Sequence, residues 1–471
     1  MSNLNPEIKF GTDGWRGIIS DNFTFKNVKR VAQAIADYYS SVLRTPYSVL
    51  KIAVGYDTRF LSKEFAQEVA DVLSKNGIEV TLSDRPIPTP TLSFAVRKRR
   101  LTAGVMITAS HNPAEYNGIK IKTSSGGAAG EEVTKVIEEM ANKVSSLKQK
   151  EQSGSIKKED LSKDYVKFLR SYIDIKKIKK AKFKVLVDAM HGSGDKFIAE
   201  VLEGTGIQLE FFRSDVNPSF EGLRPEPVVE NLLASIEIMK KKKFDICLVL
   251  DGDADRIACI APGGIFVSPQ KILGLLALHL FQDRKMKGGI VKTIVGTNLI
   301  DNITQKLGLK LYETPVGFKY ISSLMDTQDI LTGGEEAGGI GFKGYIPERD
   351  GSLAGLLLLE MMVYRKKSID KVLEIMEKEF GKYYYLRQDL RTVQAGLDLG
   401  AFKEIKRILG KDVVEIKDYD GIKLICSDKS WLMFRGSGTE PIMRIYAESQ
   451  SLAKSKKLIA FGRELILSTK K

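Results

Sequence analysis

Ile52-Ala53-Val54-Gly55-Tyr56-Asp57, then an amphipathic run from Ser62 to Lys75, then Gly77-Ile78-Glu79-Val80-Thr81-Leu82, is the stretch that decides the fold. An apolar run ending in a polar turn reads as a buried strand, the 3.6-residue apolar period as a helix, and the run after Gly77 as a second strand. The pattern recurs twice. Val185-Leu186-Val187-Asp188 leads through Lys196 to Leu202 into Gly206-Ile207-Gln208-Leu209-Glu210-Phe211-Phe212. A shorter copy starts at Thr293-Ile294-Val295-Gly296-Thr297 and passes through Ile300 to Lys306 into Gly308-Leu309-Lys310-Leu311-Tyr312. Strand-helix-strand units of this length need right-handed crossovers and a mainly parallel sheet covered on both faces, so ligands gather at the strands' carboxyl ends.

After about Leu373 the pattern changes to strands rich in tyrosine and isoleucine, from Tyr383 to Leu386, Gly421 to Cys426 and Met443 to Tyr446, with a helix at each end. This predicts a smaller α+β domain. The expected units are therefore three similar α/β domains with mixed or parallel sheets, over 1–153, 154–260 and 261–373, and an α+β domain over 374–471. A polar stretch from Val144 to Asp160 marks the first boundary and Ala261-Pro262-Gly263-Gly264 the second.

Composition narrows the classes. The chain has 471 residues, 43% apolar and 28% charged, enough for several cores. Its apolar runs, Ile272 to Phe281 and Leu353 to Val363, fall short of the roughly 18 residues of a membrane span and read as buried helices. The opening residues lack the basic and apolar regions of a signal peptide, and three scattered cysteines argue against a disulfide framework. A reducing cytoplasm is the expected location. The net charge of +14 raises nucleic acid as a partner, but the basic runs Arg97 to Arg100, Lys176 to Lys180 and Lys240 to Lys243 have acidic neighbours and no interleaved aromatics. Neither nucleic acid, a membrane nor an obligatory protein partner is expected.

Four loops carry chemistry. Asp251-Gly252-Asp253-Ala254-Asp255-Arg256 follows the apolar strand Asp245 to Leu250 and sets three carboxylates at alternate positions, a donor set for a hard cation. An EF-hand is excluded because Arg256 and Pro262 stand where glycine and glutamate are required; a plain aspartate-rich turn remains the alternative. Arg256 suits a phosphate near that cation. Thr108-Ala109-Ser110-His111-Asn112-Pro113 follows Ala103 to Ile107 and offers Ser110 as a nucleophile, or else is an ordinary turn. Tyr116-Asn117-Gly118-Ile119-Lys120 returns a lysine to that edge; Lys120 serves as acid or base if burial and nearby cations lower its pKa, although lysine is usually solvated. Arg435-Gly436-Ser437-Gly438-Thr439-Glu440-Pro441 reads as a phosphate cradle or as a functionless glycine-serine turn. Gly333-Gly334-Glu335-Glu336-Ala337-Gly338-Gly339 adds glutamates suited to sugar hydroxyls.

Together these loops, with Phe10-Gly11-Thr12-Asp13-Gly14-Trp15-Arg16-Gly17 before them, resemble the α-D-phosphohexomutase family in order and over essentially the whole chain. The resemblance implies four domains around a central cleft, one main loop from each. It implies a phosphoserine at Ser110, Mg²⁺ held by Asp251, Asp253, Asp255 and the group on Ser110, and Arg16, His111 and Lys120 around that phosphate. Arg435, Ser437, Gly438 and Thr439 would hold the phosphate that is not reacting, and a hexose 1,6-bisphosphate such as glucose 1,6-bisphosphate would be activator and intermediate. Arg256, Thr314, Gly317 and Glu335 would complete the substrate site for a small phosphosugar. Ala337 stands where many members carry a serine, and Gly339 where many bacterial phosphomannomutases and phosphoglucosamine mutases carry a histidine. Glu313-Thr314-Pro315-Val316-Gly317-Phe318-Lys319 is more similar to the phosphoglucomutase loop, with Phe318 in place of a tryptophan. The expectation is glucose, with mannose as the alternative and a non-catalytic phosphosugar-binding relative as the reading from another class.

Overall fold

The computed structural model describes residues 7–42, 49–144, 146–148, 150, 153–391, 399–436 and 442–468. The repeat read from the sequence is a repeat of sheet topology. In the first domain the strand Lys51–Tyr56 lies between Glu79–Ser83 and Ala103–Ile107, parallel to both, and Tyr116–Lys122 follows antiparallel. In the second, Lys184–Asp188 lies between Gln208–Phe212 and Ile246–Leu250, with Ile257–Ala261 antiparallel beyond. In the third, Gly289–Thr293 lies between Leu311–Thr314 and Ile330–Gly334, with Ile340–Phe342 antiparallel. Three mixed sheets thus share one strand order. The fourth domain is a six-stranded antiparallel sheet against which the helix Leu452–Ser468 packs.

The apolar runs Pro269–Leu278 and Gly351–Arg365 are buried helices. They belong to one core that extends from the helix Thr89–Lys98 of the first domain through the second and third. Among the described residues no helix is long and apolar enough to cross a membrane. Cys247, Cys259 and Cys426 are free and buried.

Three features differ from the expected boundaries. Ile156–Glu159 pairs with Glu79–Ser83, so the first sheet continues past residue 153. Ile257–Ala261 and Ile265–Val267 close the second sheet, past residue 260. The helix Ile369–Phe380 crosses residue 373 unbroken, because Ile369, Val372, Leu373, Met376 and Phe380 pack into the shared core and not onto the last sheet. The third repeat's first strand also lies four residues earlier than Thr293 to Thr297, since Ile294 and Val295 are apolar for another reason: they pack against Trp431, Met433 and Tyr446 of the last domain.

Candidate active site

The loops carrying Ser110, the three aspartates and Glu335 each follow the third strand of their own repeat, Ala103–Ile107, Ile246–Leu250 and Ile330–Gly334. One topological position, used three times, brings a hydroxyl, a carboxylate cluster and a glutamate together. Ser110 is fully buried, with a left-handed backbone (φ 53°) that needs support in a residue other than glycine. Thr108 Oγ1 accepts from its amide at 2.8 Å. Arg59, buried beneath the loop, donates from Nη2 to the carbonyls of Ser110 (2.7 Å) and Asn112 (2.5 Å), and from Nη1 to those of Pro113 (2.8 Å) and Tyr116 (3.0 Å). The second domain's loop docks on this one: a Cβ on Gly252 would lie 2.6 Å from the Ser110 carbonyl oxygen, so glycine is required there.

Ser110 Oγ donates to Asp251 Oδ2 at 3.0 Å and lies 3.4 Å from His111 Nδ1. Asp251, Asp253 and Asp255 are fully buried and present carboxylate oxygens within 4.8 Å of one another. Asp253 and Asp255 are each divided in two. Their Oδ2 atoms accept from Lys120 Nζ at 2.8 and 2.7 Å, whereas their Oδ1 atoms are buried without a hydrogen-bond partner among the described residues. Burial and the two neighbouring carboxylates push Asp251 well above the usual carboxylate range. Buried carboxylates at this spacing, two of them with an oxygen left over from their hydrogen bonds, are the donor set of a hard divalent cation, so these residues fit Mg²⁺.

Lys120 is buried, and burial alone would lower its pKa, but Asp13, Asp253 and Asp255 raise it above the ordinary lysine value. The lowered pKa that acid or base work by Lys120 would need is opposed here by three carboxylates at 3.0 Å or closer. His111 is driven the other way, well below the ordinary histidine value, by burial first and then by Arg256, Arg16 and Lys120.

In front of this cluster lies a cavity of about 390 Å³ whose walls include Arg16, His111, Arg256, Gly317, Glu335 and Arg435. Arg387 and Arg444 of the last sheet join them, making the cavity strongly cationic. Arg16 donates to Asn112 Oδ1 at 2.5 Å, and Arg435 is held by Asp420 at 2.8 Å. Glu335 is buried, its carboxyl pushed up to about 7 by burial against the opposing pull of Arg349, whose Nη1 lies 3.0 Å away. Thr314 is off this wall, its hydroxyl buried and turned to the Pro315 carbonyl. Ser437, Gly438 and Thr439 lie outside the described residues.

Sequence reasoning passed over five contributors. Arg59 shapes the serine loop, Thr89 donates to Asp253 Oδ2 at 2.5 Å, Arg387 lines the cavity, and Asp13 and Arg349 pair with each other beside Lys120. Asp13 had the clearest signal, lying in the quoted loop three residues before Arg16; the rest are single polar residues whose burial appears only in three dimensions.

Comparison with known proteins agrees with this geometry. The descriptions "Phosphoglucomutase/phosphomannomutase, alpha/beta/alpha domain I", "domain II" and "domain III" match residues 7–148, 163–264 and 268–379. A phosphoglucomutase/phosphomannomutase of Thermococcus kodakarensis is 30% identical, over 97% of this chain and 98% of that one. A phosphoglucosamine/phosphogalactosamine mutase of Sulfurisphaera tokodaii is 30% identical, over 94% and 95%. A crystal structure from Thermus thermophilus, assigned as a phosphomannomutase, superposes with a TM-score of 0.88 at 33% identity, covering 98% of this chain and all of that one. The chain belongs to the phosphoglucomutase/phosphomannomutase family. Its members are phosphohexomutases, isomerases that transfer a phosphoryl group within a sugar phosphate.

Proposed function

We propose that this chain interconverts hexose 1- and 6-phosphates, with α-D-glucose as the preferred sugar, through a phosphorylated Ser110 and a hexose 1,6-bisphosphate. The observation that carries the reading is Ser110 Oγ, 3.0 Å from Asp251 and 3.4 Å from His111, beside an arginine-lined cavity large enough for a sugar bisphosphate.

Asp251, Asp253, Asp255 and the Ser110 phosphate would hold Mg²⁺, which when bound withdraws charge from the transferring phosphoryl group. Arg16 and Lys120 hold that group's remaining charge, the electrostatic work phosphoryl transfer needs. In the forward half-cycle the free sugar hydroxyl attacks phosphorus, its O–P bond forms as the Ser110 O–P bond breaks, and its proton must leave. That proton leaves on the side of phosphorus opposite Ser110 and is balanced by one taken up on Ser110 Oγ; His111, whose Nδ1 lies 3.4 Å from Oγ, is placed at the serine oxygen and handles the proton there. In the second half-cycle Ser110 takes the other phosphate back. Arg435, with Ser437, Gly438 and Thr439, holds whichever phosphate is idle.

The preference for glucose rests on the loop from Glu313 to Lys319 and on Gly339. A Cβ at 339 would lie 2.5 Å from Arg349 Cδ, so a histidine has no room there while Arg349 keeps its place. Mannose is the second reading, since Ala337 lines the cavity without a hydroxyl to discriminate an axial from an equatorial group. The test is Mg²⁺-dependent conversion of glucose 1-phosphate, primed with glucose 1,6-bisphosphate, beside mannose and glucosamine 1-phosphates and the Ser110→Ala variant. Turnover that is fastest on glucose and lost in Ser110→Ala is the expected result. Absence of turnover on every sugar by a folded, primed, Mg²⁺-loaded protein leaves a phosphosugar-binding relative.

A further inference from the structure

Asp13 stands at the tip of a tight β-hairpin, between Phe10–Gly11 and Gly14–Ile18, whose two-residue turn is Thr12-Asp13. The tip reaches two cations from different domains. Lys120 Nζ, from the first domain, lies 3.0 Å from Asp13 Oδ2, and Arg349 Nη2, from the third, donates to the same oxygen. The second domain meets both cations as well: Asp255 Oδ2 is 2.7 Å from Lys120 Nζ and 2.8 Å from Arg349 Nε. Arg349 ends on Glu335 of the sugar loop at 3.0 Å. Two cations are thus shared among Asp13, two carboxylates of the aspartate cluster and Glu335.

These carboxylates are not equivalent once a divalent cation occupies the cluster. Asp253 and Asp255 then direct charge to the metal through the Oδ1 atoms, which have no hydrogen-bond partner among the described residues, and the hold of both on Lys120 and of Asp255 on Arg349 weakens. Asp13 lies outside the three-aspartate group and keeps its full charge for both cations. We propose that Asp13 is a positioning residue: it draws Lys120 and Arg349 away from the metal-facing carboxylates, which lets Mg²⁺ bind tightly and fixes both cations at the reacting phosphate. Tight Mg²⁺ binding needs no turnover, whereas the placing of both cations at the reacting phosphate rests on the phosphohexomutase reading above.

The consequence is a competition that can be measured without turnover. In Asp13→Asn, Lys120 leans on Asp253 and Asp255, and Arg349 on Asp255 and Glu335, so Mg²⁺ has to displace a stronger hold on the two aspartates. Calorimetric titration of the unphosphorylated full-length protein is expected to show Mg²⁺ affinity reduced by about tenfold or more. Removing the competitor should undo this: Asp13→Asn/Lys120→Met is expected to recover most of the lost affinity, which a purely structural role of Asp13 would not produce. In the mutase assay Asp13→Asn is expected to lower kcat by at least about tenfold with KM within about threefold, because substrate still meets an intact cavity. Asp13→Ser, which also suits a tight turn, repeats the titration should the asparagine variant misfold. Mg²⁺ affinity unchanged in a folded Asp13→Asn or Asp13→Ser protein overturns the proposal, as does a loss that Lys120→Met leaves uncorrected. If the wild type binds Mg²⁺ in competition with Lys120 yet turns over no sugar, the positioning role stands and the mutase reading falls.

Discussion

Arg59 offers the sharpest test of how the serine loop is held. Its guanidinium makes four hydrogen bonds to the carbonyls of residues 110, 112, 113 and 116, and Nε lies 3.5 Å from Asp57. Arg59→Lys keeps the charge near Asp57 but replaces a planar fork by a point donor, which cannot reach carbonyls spread along seven residues. Losing two of the four bonds costs about 3 kcal/mol, since bonds to a charged donor contribute roughly 1.5 kcal/mol or more apiece. That loss falls on a loop whose serine already holds a left-handed backbone, so the loop is expected to relax and shift Ser110 Oγ from Asp251. A displacement of about 1 Å at a reacting atom costs roughly 10²-fold in rate. The measurement is kcat for glucose 1-phosphate conversion, with near-ultraviolet circular dichroism confirming the fold and Ser110 phosphorylation followed by mass spectrometry. A folded Arg59→Lys protein with kcat within about threefold of wild type would refute the reasoning and show that the strained loop keeps its shape without the arginine.

Three further outcomes follow from buried polar groups. Lys423, buried against Trp431 with Nζ 2.6 Å from the Ile294 carbonyl, is pushed down to about 7 by burial and then by Lys292. Between about pH 7 and pH 10 the unfolded chain carries a proton there that the folded chain lacks, so stability rises with pH through that window, by about 2 kcal/mol at pH 9. Chemical unfolding of Lys423→Met is expected to have lost that slope. Gly339→Ala pushes its Cβ onto Arg349 and is expected to lower kcat/KM by about tenfold on every sugar rather than to switch preference, read from the primed assay on three sugars. Thr89→Val removes the hydroxyl on Asp253 Oδ2 and is expected to weaken Mg²⁺ binding about tenfold by calorimetry with the thermal midpoint little changed.

Much of the fold was legible because its signals are local. Strand-helix-strand periodicity and the Gly-Ile and Gly-Leu steps located three sheets, and the alternation of aspartates in Asp251 to Asp255 marked the buried carboxylate cluster before any geometry was known. What was not legible depends on distant residues. Ile294 and Val295 read as a strand because apolar residues look alike whether they fill a sheet or meet another domain; here they meet Trp431 and Met433. The helix Ile369–Phe380 spans the point where the repeat stops and yet belongs to the third domain, since its apolar face fits the shared core. Nothing in the sequence around Arg59 marks it for burial. Only the convergence of carbonyls from 110 to 116 makes it a support. Lys120 was placed at the right edge, but its charge state depends on Asp253 and Asp255 far along the chain.

That separation matters while the chain is being made. Lys120 and Asp255 are 135 residues apart, and the buried pair Lys122 and Glu348 is 226 apart. At a synthesis rate of roughly 5–20 residues per second, the first domain emerges about 7 to 45 s before the carboxylates that will cover its lysines exist. During that interval Lys122 lacks Glu348, and Lys120 has Asp13 of its own domain but neither Asp253 nor Asp255, so the face that later becomes interior remains wet. Domain docking, not the folding of the first sheet, is therefore the step that dehydrates the site. A nascent chain halted after the first domain should hold its sheet while leaving these two lysines open to acylating reagents that cannot reach them in the finished protein.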